Sequence, residues 1–269
     1  MNDIILKIEN LNYFVDVKNQ FGARIKKEII RDLSFNIERN TVLGITGESG
    51  SGKTSLAKIL AGINKQSSGK IEQYFTKDWS KSLPKPIQIL FQNDGELINP
   101  YRKVNDVLEE AYQLKFNSKK DYSTEILSDL KKLQLSASIL NHKGYQLSGG
   151  EQQRLALARI LIVDPEILIL DEPFSSQDIE AQSIIVKLIK ELISESKMTM
   201  ICISHDISIL KNISNNLIVM YNGLIVESGK TSDVFKNPEN SYTKFLISAQ
   251  SLNLSREEIE TFHNNYEQD

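Results

Sequence analysis

Gly47-Glu48-Ser49-Gly50-Ser51-Gly52-Lys53-Thr54 follows a short apolar run, Val42-Leu43-Gly44-Ile45, and precedes a helical pattern from Ser55 to Leu60. The octapeptide has the spacing G-x-x-x-x-G-K-[ST]. Glycines at these positions let the backbone bend so that successive N–H groups point inward at phosphate oxygens. The helix that follows presents its positive end to the same anion. Lys53 is expected to reach the β- and γ-phosphates of a nucleotide as a point charge, and the Thr54 hydroxyl to offer Mg²⁺ a hard oxygen. Gly47 to Ser55 is thus the expected phosphate cradle. A Gly/Ser-rich turn could match by chance, but the strand before and the helix after supply the context that the motif needs.

The chain around this loop reads as alternating strands and helices. Ile4–Ile8 and Ile29–Ile37 read as strands, separated by a polar loop at 19–24 expected to close a hairpin. Residues 86–91 form another short strand. From about 104 to 162 the periods turn helical, as in Val104-Leu108-Ala111-Tyr112 and Ile126-Leu127-Leu130-Leu133. Strands return at Ile167–Leu170, Met198–Ile203, Leu217–Tyr221 and Leu224–Glu227, and a helix from Asp178 to Ser194 joins the first two. Such alternation predicts an α/β fold with a mainly parallel sheet. A small helical region is inserted into it. The expected organisation is a core over 1–91, a helical subdomain over 92–162, the rest of the core over 163–250 and a tail over 251–269. Ser255-Arg256-Glu257-Glu258 has capping-box spacing, which predicts a short helix in that tail.

Composition narrows the function. The chain has 269 residues, 40% apolar and 25% charged, which excludes wholesale disorder. Lys plus Arg number 32 against 35 Asp plus Glu, a net charge of −3. Proteins that grip nucleic-acid backbone usually carry a basic excess, so no nucleic-acid partner is expected. Cys202 is the single cysteine, so no intrachain disulfide and no cysteine cluster can form. It lies on an expected buried strand and reads as a small core residue. No signal-peptide pattern begins the chain, and no apolar run approaches the roughly 18 residues that span a bilayer.

Two further segments carry chemistry. Ile167-Leu168-Ile169-Leu170-Asp171-Glu172 is a buried strand ending in two acids. It would deliver Asp171 to the carboxyl edge of the sheet, where it can hold Mg²⁺, and Glu172 one step further, where it can polarise an attacking water as a general base. By itself this pattern also describes an ordinary solvated strand end; downstream of a phosphate loop it gains meaning. Leu147-Ser148-Gly149-Gly150-Glu151-Gln152-Gln153-Arg154 opens a helix, expected from Glu151 onward, with Ser-Gly-Gly. That makes a second anion-binding helix start. A chain with one nucleotide has little use for two, unless two chains meet head to tail and each offers Ser148, Gly149 and Gly150 to the other's γ-phosphate. An ordinary Ser N-cap with a Gly turn is the alternative.

Leu147–Arg154 resembles the signature motif of the ATP-binding cassette (ABC) ATPases, and the family's other motifs appear in its order. Gln92, after the strand ending at Phe91, resembles the Q-loop glutamine. Ser175-Ser176-Gln177-Asp178 resembles the D-loop, with Gln177 where the family usually has an apolar residue. His205, in Ile203-Ser204-His205-Asp206, resembles the switch histidine. The resemblance covers about residues 4 to 230. It implies the fold of an ABC cassette, in which a P-loop NTPase core carries an antiparallel β subdomain and a helical insert. It also implies ATP and Mg²⁺ as ligands. Gln92 would join Thr54 and Asp171 around the metal, Asp178 would face nucleotide, and Lys53, Glu172 and His205 would serve hydrolysis. An aromatic near the end of the first strand would stack on adenine. Tyr13 is the first candidate and Phe14 the second, although the best-aligned position holds Val15, and both rings also suit a strand core.

Two local features are similar to the peptide/nickel importer subfamily. One is Phe91-Gln92-Asn93-Asp94 followed by Ile98-Asn99-Pro100-Tyr101. The other is Asn237-Pro238-Glu239-Asn240-Ser241-Tyr242-Thr243, a partial match to the P-x-H-P-Y-T element found there. The resemblance implies an ATPase subunit of an importer of oligopeptides, nickel or metal–chelator complexes. It would pair with a second ATPase subunit, commonly a different chain though a homodimer fits too. Two membrane permeases would be contacted directly and an extracytoplasmic solute-binding protein indirectly, from the cytoplasmic face of the membrane. An exporter or lipoprotein-release ATPase, or a non-transport ABC ATPase, is the alternative. A single cassette, intact motifs and the importer-like tail weigh against the last.

Overall fold

The structure is a computed structural model that describes residues 3–18, 22–79, 84–91, 98–174, 179–196 and 198–250. The chain divides into two compact units, Met1–Tyr74 with Thr199–Asp269, and Phe75–Met198.

In the first unit, β1 (Ile4–Lys18) and β2 (Arg24–Glu38) form the expected hairpin, antiparallel from Ile4↔Glu38 to Lys18↔Arg24. A third strand, β4 (Ser68–Gln73), pairs antiparallel with β1. Its sequence carries no strand signal, because Ser-Gly-Lys has no apolar alternation. The period-two pattern of β2 breaks between Ile30 and Leu33, yet both side chains are buried. Asp32 has φ 48°, and Asn10 opposite has φ 49°, so each strand carries an extra residue that restores the inward phase. Asn and Asp tolerate this left-handed geometry best. Here the two residues also bond each other, Asn10 Nδ2 donating to Asp32 Oδ1 at 2.8 Å.

The same unit holds a second sheet. β3 (Val42–Thr46) lies between β7 (Thr199–Ile203) and β8 (Asn216–Tyr221), parallel to both, and β9 (Leu224–Lys230) pairs antiparallel with β8. Every residue of β3 and β7 is buried, which explains their unbroken apolar runs. Cys202 is fully buried among them, as expected. Helices α1 (Lys53–Leu60), α6 (Ile207–Ile213), α7 (Thr231–Lys236) and α8 (Ser241–Gln250) complete the unit. The last two lie in the expected core part over 163–250, where the sequence reading named no helix after residue 230, and the expected helix at 255 lies outside the described residues.

In the second unit, β5 (Ile87–Leu90) and β6 (Ile167–Asp171) pair in parallel. The helices are α2 (Val104–Phe116), α3 (Ser123–Lys132), α4 (Gly149–Ile162) and α5 (Ile179–Ser196). Glu166 ties the start of β6 to residues 76–79, accepting from the Thr76 and Lys77 N–H groups and from Trp79 Nε1. Burial opposes its charge, but these donors outweigh it and lower its pKa. The fold is α/β, with a mostly parallel sheet, an antiparallel sheet and helices, as the sequence predicted.

Candidate functional site

The phosphate loop leaves the carboxyl end of β3 and enters α1. Gly47 has φ 144°, and a Cβ there would lie 2.0 Å from the Met220 carbonyl oxygen. Gly52 has φ 100°, and its Cβ would meet the Ile29 carbonyl at 2.8 Å. The fold therefore demands glycine at both ends of the turn. Lys53 is largely buried, and its Nζ donates to the Gly47 and Glu48 carbonyls at 2.7 Å each. The ammonium is thus tied to two carbonyls of the loop itself. Thr54 is exposed in the first turn of α1, Ser55 is half-buried beside it, and Ser49 and Gly50 are exposed at the loop tip.

β7 runs beside β3 in parallel, with Ile45 opposite Ile203. The segment after β7 therefore starts at the same sheet edge as the loop, where ligands bind in open α/β sheets. The Ser204 N–H donates to the Ile45 carbonyl at 3.1 Å, and His205 follows, exposed. Asp206 caps α6, accepting from the Ser208 and Ile209 N–H groups at 2.9 and 3.3 Å. This fixes the backbone just beyond His205.

In the second unit β6 is buried throughout, and Asp171 at its end is 2% exposed. Glu172 is half-buried and has φ 52°. A non-glycine residue in this region costs about 1–2 kcal/mol. The bend turns the chain abruptly as it leaves the strand. Gln153, on α4, donates to the Pro173 carbonyl at 2.5 Å. The helix of the Ser-Gly-Gly segment is thus tied directly to the residue after Glu172, a link that no local pattern had shown.

α4 begins at Gly149, two residues before the expected start. Ser148 is its N-cap, with a reciprocal capping box: Ser148 Oγ accepts from the Glu151 N–H at 3.3 Å, and the Glu151 carboxylate accepts from the Ser148 N–H at 2.8 Å. Ser148 is therefore the N-cap of α4, the ordinary reading of the segment. Gly149 is different, since a Cβ there would meet nothing within 4 Å. Among the described residues nothing outside its own helix gives a steric reason for glycine, although glycine in a helix costs about 0.5–1 kcal/mol relative to alanine.

Among the adenine candidates, Tyr13 is half-buried and its hydroxyl accepts from Asn64 Nδ2 at 3.1 Å, while Phe14 is 38% exposed. Val15 is half-buried. Gln92, Ser175, Ser176, Gln177 and Asp178 lie outside the described residues. Thr54 and Asp171 are hard oxygen donors of the kind an octahedral, partly hydrated Mg²⁺ takes, so the donor chemistry fits that ion.

A loop whose glycines are sterically compelled, with a lysine held across its mouth at the carboxyl edge of parallel strands, defines a P-loop nucleotide-binding protein. Comparison with known proteins narrows the class. The sequence profile of the family described as ABC transporter matches residues 30–175. The dipeptide transport ATP-binding protein DppF of Haemophilus influenzae is 34% identical over 257 residues, 92% of this chain and 79% of that protein. The oligopeptide transport ATP-binding protein OppF of the same organism is 30% identical over 92% of this chain and 78% of its own length. Among solved structures, the dimeric ATP-binding cassette MJ0796 bound to ADP and Pi is 25% identical. Its TM-score is 0.69, covering 84% of this chain and 99% of its own. The cbiO1 structure from Clostridium perfringens, described as part of the ABC transporter complex cbiONQ, is 28% identical with a TM-score of 0.69 over 98% of this chain. This chain belongs to the ABC transporter family, as an ATP-binding subunit with the ATPase activity of that family.

Proposed function

We propose that the chain is the ATPase subunit of an importer of oligopeptides, seated on the cytoplasmic face of the membrane beneath two permeases and fed by an extracytoplasmic solute-binding protein. The relatives' names support peptides over the nickel and metal–chelator cargoes that the motifs also allow. Among the described residues no helix is long and apolar enough to cross a membrane, so membrane attachment would run through the permeases.

The observation that carries the catalytic reading is Gly149, a glycine at an open helix start in a chain whose phosphate loop lies elsewhere. It suits close approach by a group from outside the chain. ATP would lie between Gly47–Ser55 of one chain and Ser148-Gly149-Gly150 of a second cassette, identical or related. The family order of motifs supports three parts, 1–91, 92–162 and 163–250, with 251–269 as a tail. Lys53 would neutralise the β- and γ-phosphates. Glu172 would take the proton of a water attacking the γ-phosphorus as the bond to the ADP oxygen breaks. His205 would hold the γ-phosphate, and Asp178 would face nucleotide across the dimer. Mg²⁺, held by Thr54, Asp171 and Gln92, would supply charge neutralisation at the phosphates. Positioning and charge do most of the work in such transfers. Tyr13, or Phe14 as the second candidate, would stack on adenine.

Two features of the second unit suit a permease. A groove of about 520 Å³ is lined by Gln88, Ile89, Val107, Leu114 and Arg159 among others. Nearby in sequence, residues 98–104 and 142–146 lie side by side, joined by Tyr145 N–H to Pro100 carbonyl at 3.0 Å and Gly144 N–H to Arg102 carbonyl at 3.1 Å. From this braced pair Tyr101 projects 77% exposed and Tyr145 61%. Exposed aromatics on a rigid loop are favourable anchors for a partner. Ile98, by contrast, is buried, so it belongs to the loop's support.

Tyr101→Ala should therefore lower ATP-dependent peptide uptake about ten-fold in the reconstituted transporter while basal hydrolysis stays within about two-fold. Uptake at the parent rate would remove Tyr101 from the interface. The function as a whole is tested by co-expression with the permeases encoded beside this chain, followed by solubilisation and pull-down. Recovery of a membrane complex that takes up a labelled oligopeptide is expected. Recovery on ribosomes or DNA, without permeases, would favour a non-transport ATPase instead.

A further inference from the structure

Helix α8 reaches the nucleotide loop. Tyr242, in the first turn of α8, is 1% exposed, and its ring packs at 4.7 Å against Tyr221 at the end of β8. Its hydroxyl oxygen accepts the Glu48 backbone N–H at 2.8 Å, inside the phosphate loop. The same residue offers its carbonyl to Lys53 Nζ at 2.7 Å and to the Ser51 N–H at 3.2 Å. Residue 48 is thus held at its amide by α8 and at its carbonyl by the lysine that would meet phosphate.

Several contacts hold α8 in place. Asn240 Oδ1 accepts the Tyr242 N–H at 2.8 Å, and the Glu227 carboxylate on β9 accepts the Glu239 and Asn240 N–H groups at 2.9 and 3.1 Å. At the far end of α8, Gln250 Nε2 donates to Asp206, the residue that follows His205. Helix α8 therefore touches both segments that leave the carboxyl edges of β3 and β7. Burial pushes the Tyr242 phenol well above its ordinary pKa, so it stays neutral across the working range of an ATPase.

We propose that Tyr242 is a positioning residue for nucleotide binding: its hydroxyl fixes the Glu48 amide, and through it the loop geometry and the Lys53 ammonium. The inference rests on the ATP-binding reading of the loop. It extends that reading to a helix nearly two hundred residues away in sequence. With the hydroxyl gone, the Glu48 N–H has no fixed acceptor and the loop samples orientations that ATP must reorder on binding. The cost falls on binding and not on the chemical step.

The test is Tyr242→Phe, which keeps the ring on Tyr221 and removes only the acceptor, compared with the parent and with Lys53→Ala in the full chain. Equilibrium binding of MgATP is measured by calorimetry and steady-state hydrolysis is measured with the partner cassette, both well below the melting temperature. An ATP Kd and KM raised about three- to ten-fold, with kcat within about two-fold, is expected for one lost hydrogen bond. A Kd within two-fold of the parent overturns the inference whatever happens to the melting temperature, because Tyr242 is then only a packing residue. A fall in kcat at unchanged KM overturns it too. If Lys53→Ala also binds ATP like the parent, the nucleotide reading of the loop itself fails; if only Tyr242→Phe does, the positioning role alone fails.

Discussion

Glu172→Gln is expected to bind ATP and close the dimer but to hydrolyse about 10²–10⁴-fold more slowly than the parent, the share of rate that a positioned general base contributes. The substitution is close to isosteric. It leaves the left-handed backbone at residue 172 and the Gln153 bond to the Pro173 carbonyl without a new steric demand. What it removes is the proposed proton acceptor, together with a negative charge that would face the γ-phosphate. Loss of that charge favours the nucleotide-bound state, so the variant should accumulate as an ATP-loaded dimer. Single-turnover hydrolysis and size-exclusion chromatography with MgATP, in the presence of the partner cassette, read the two effects separately. Hydrolysis at close to the parental rate would reassign the base to another residue.

Lys53→Ala and Gly149→Asp should separate the two phosphate sites. Lys53 is buried with its ammonium on the Gly47 and Glu48 carbonyls, so its removal deletes a charge already in place. Charge-assisted contacts are worth about 1.5–3 kcal/mol, hence about 10- to 100-fold in ATP affinity within a single chain. Among the described residues, no atom outside its own helix lies within 4 Å of a prospective Cβ at Gly149, so a side chain can leave the backbone there without a clash among them. Aspartate there places a carboxylate where the other chain's γ-phosphate is proposed to sit. Monomer affinity should stay near the parent value while ATP-driven dimerisation is lost. Equal loss of monomer affinity in both variants would mean that the signature segment serves its own chain's nucleotide, contrary to the head-to-tail arrangement.

The sequence legible to a reader was the part written in short-range pattern. The phosphate loop, the acid-ended strand and the Ser-Gly-Gly helix start are each complete within about eight residues, because backbone φ preferences and helix-end chemistry act over that range. The hairpin, the parallel core and the helices over 104–162 were legible for the same reason: burial on one face or both imposes a period. β4 was missed because an edge strand with half-exposed residues needs no apolar period. The phase shift at Asn10 and Asp32 was missed because paired bulges look like a broken alternation until the partner strand is seen.

Sequence alone thus determined the nucleotide loop, the helix start at Ser-Gly-Gly and the order of motifs that resembles an ABC cassette. Tertiary structure alone decided which residues brace them. Gly47 and Gly52 proved indispensable because the Met220 and Ile29 carbonyls, distant in sequence, occupy the space of a side chain, whereas Gly149 proved sterically free. Ile98 turned inward and Tyr101 outward within one short segment, a choice set by the loop over 142–146 packed beside it. The Gln153–Pro173 and Tyr242–Glu48 bonds join residues 20 and 194 positions apart. A hydrogen bond between remote residues leaves no periodic trace, because its partners become neighbours only when the core between them has packed.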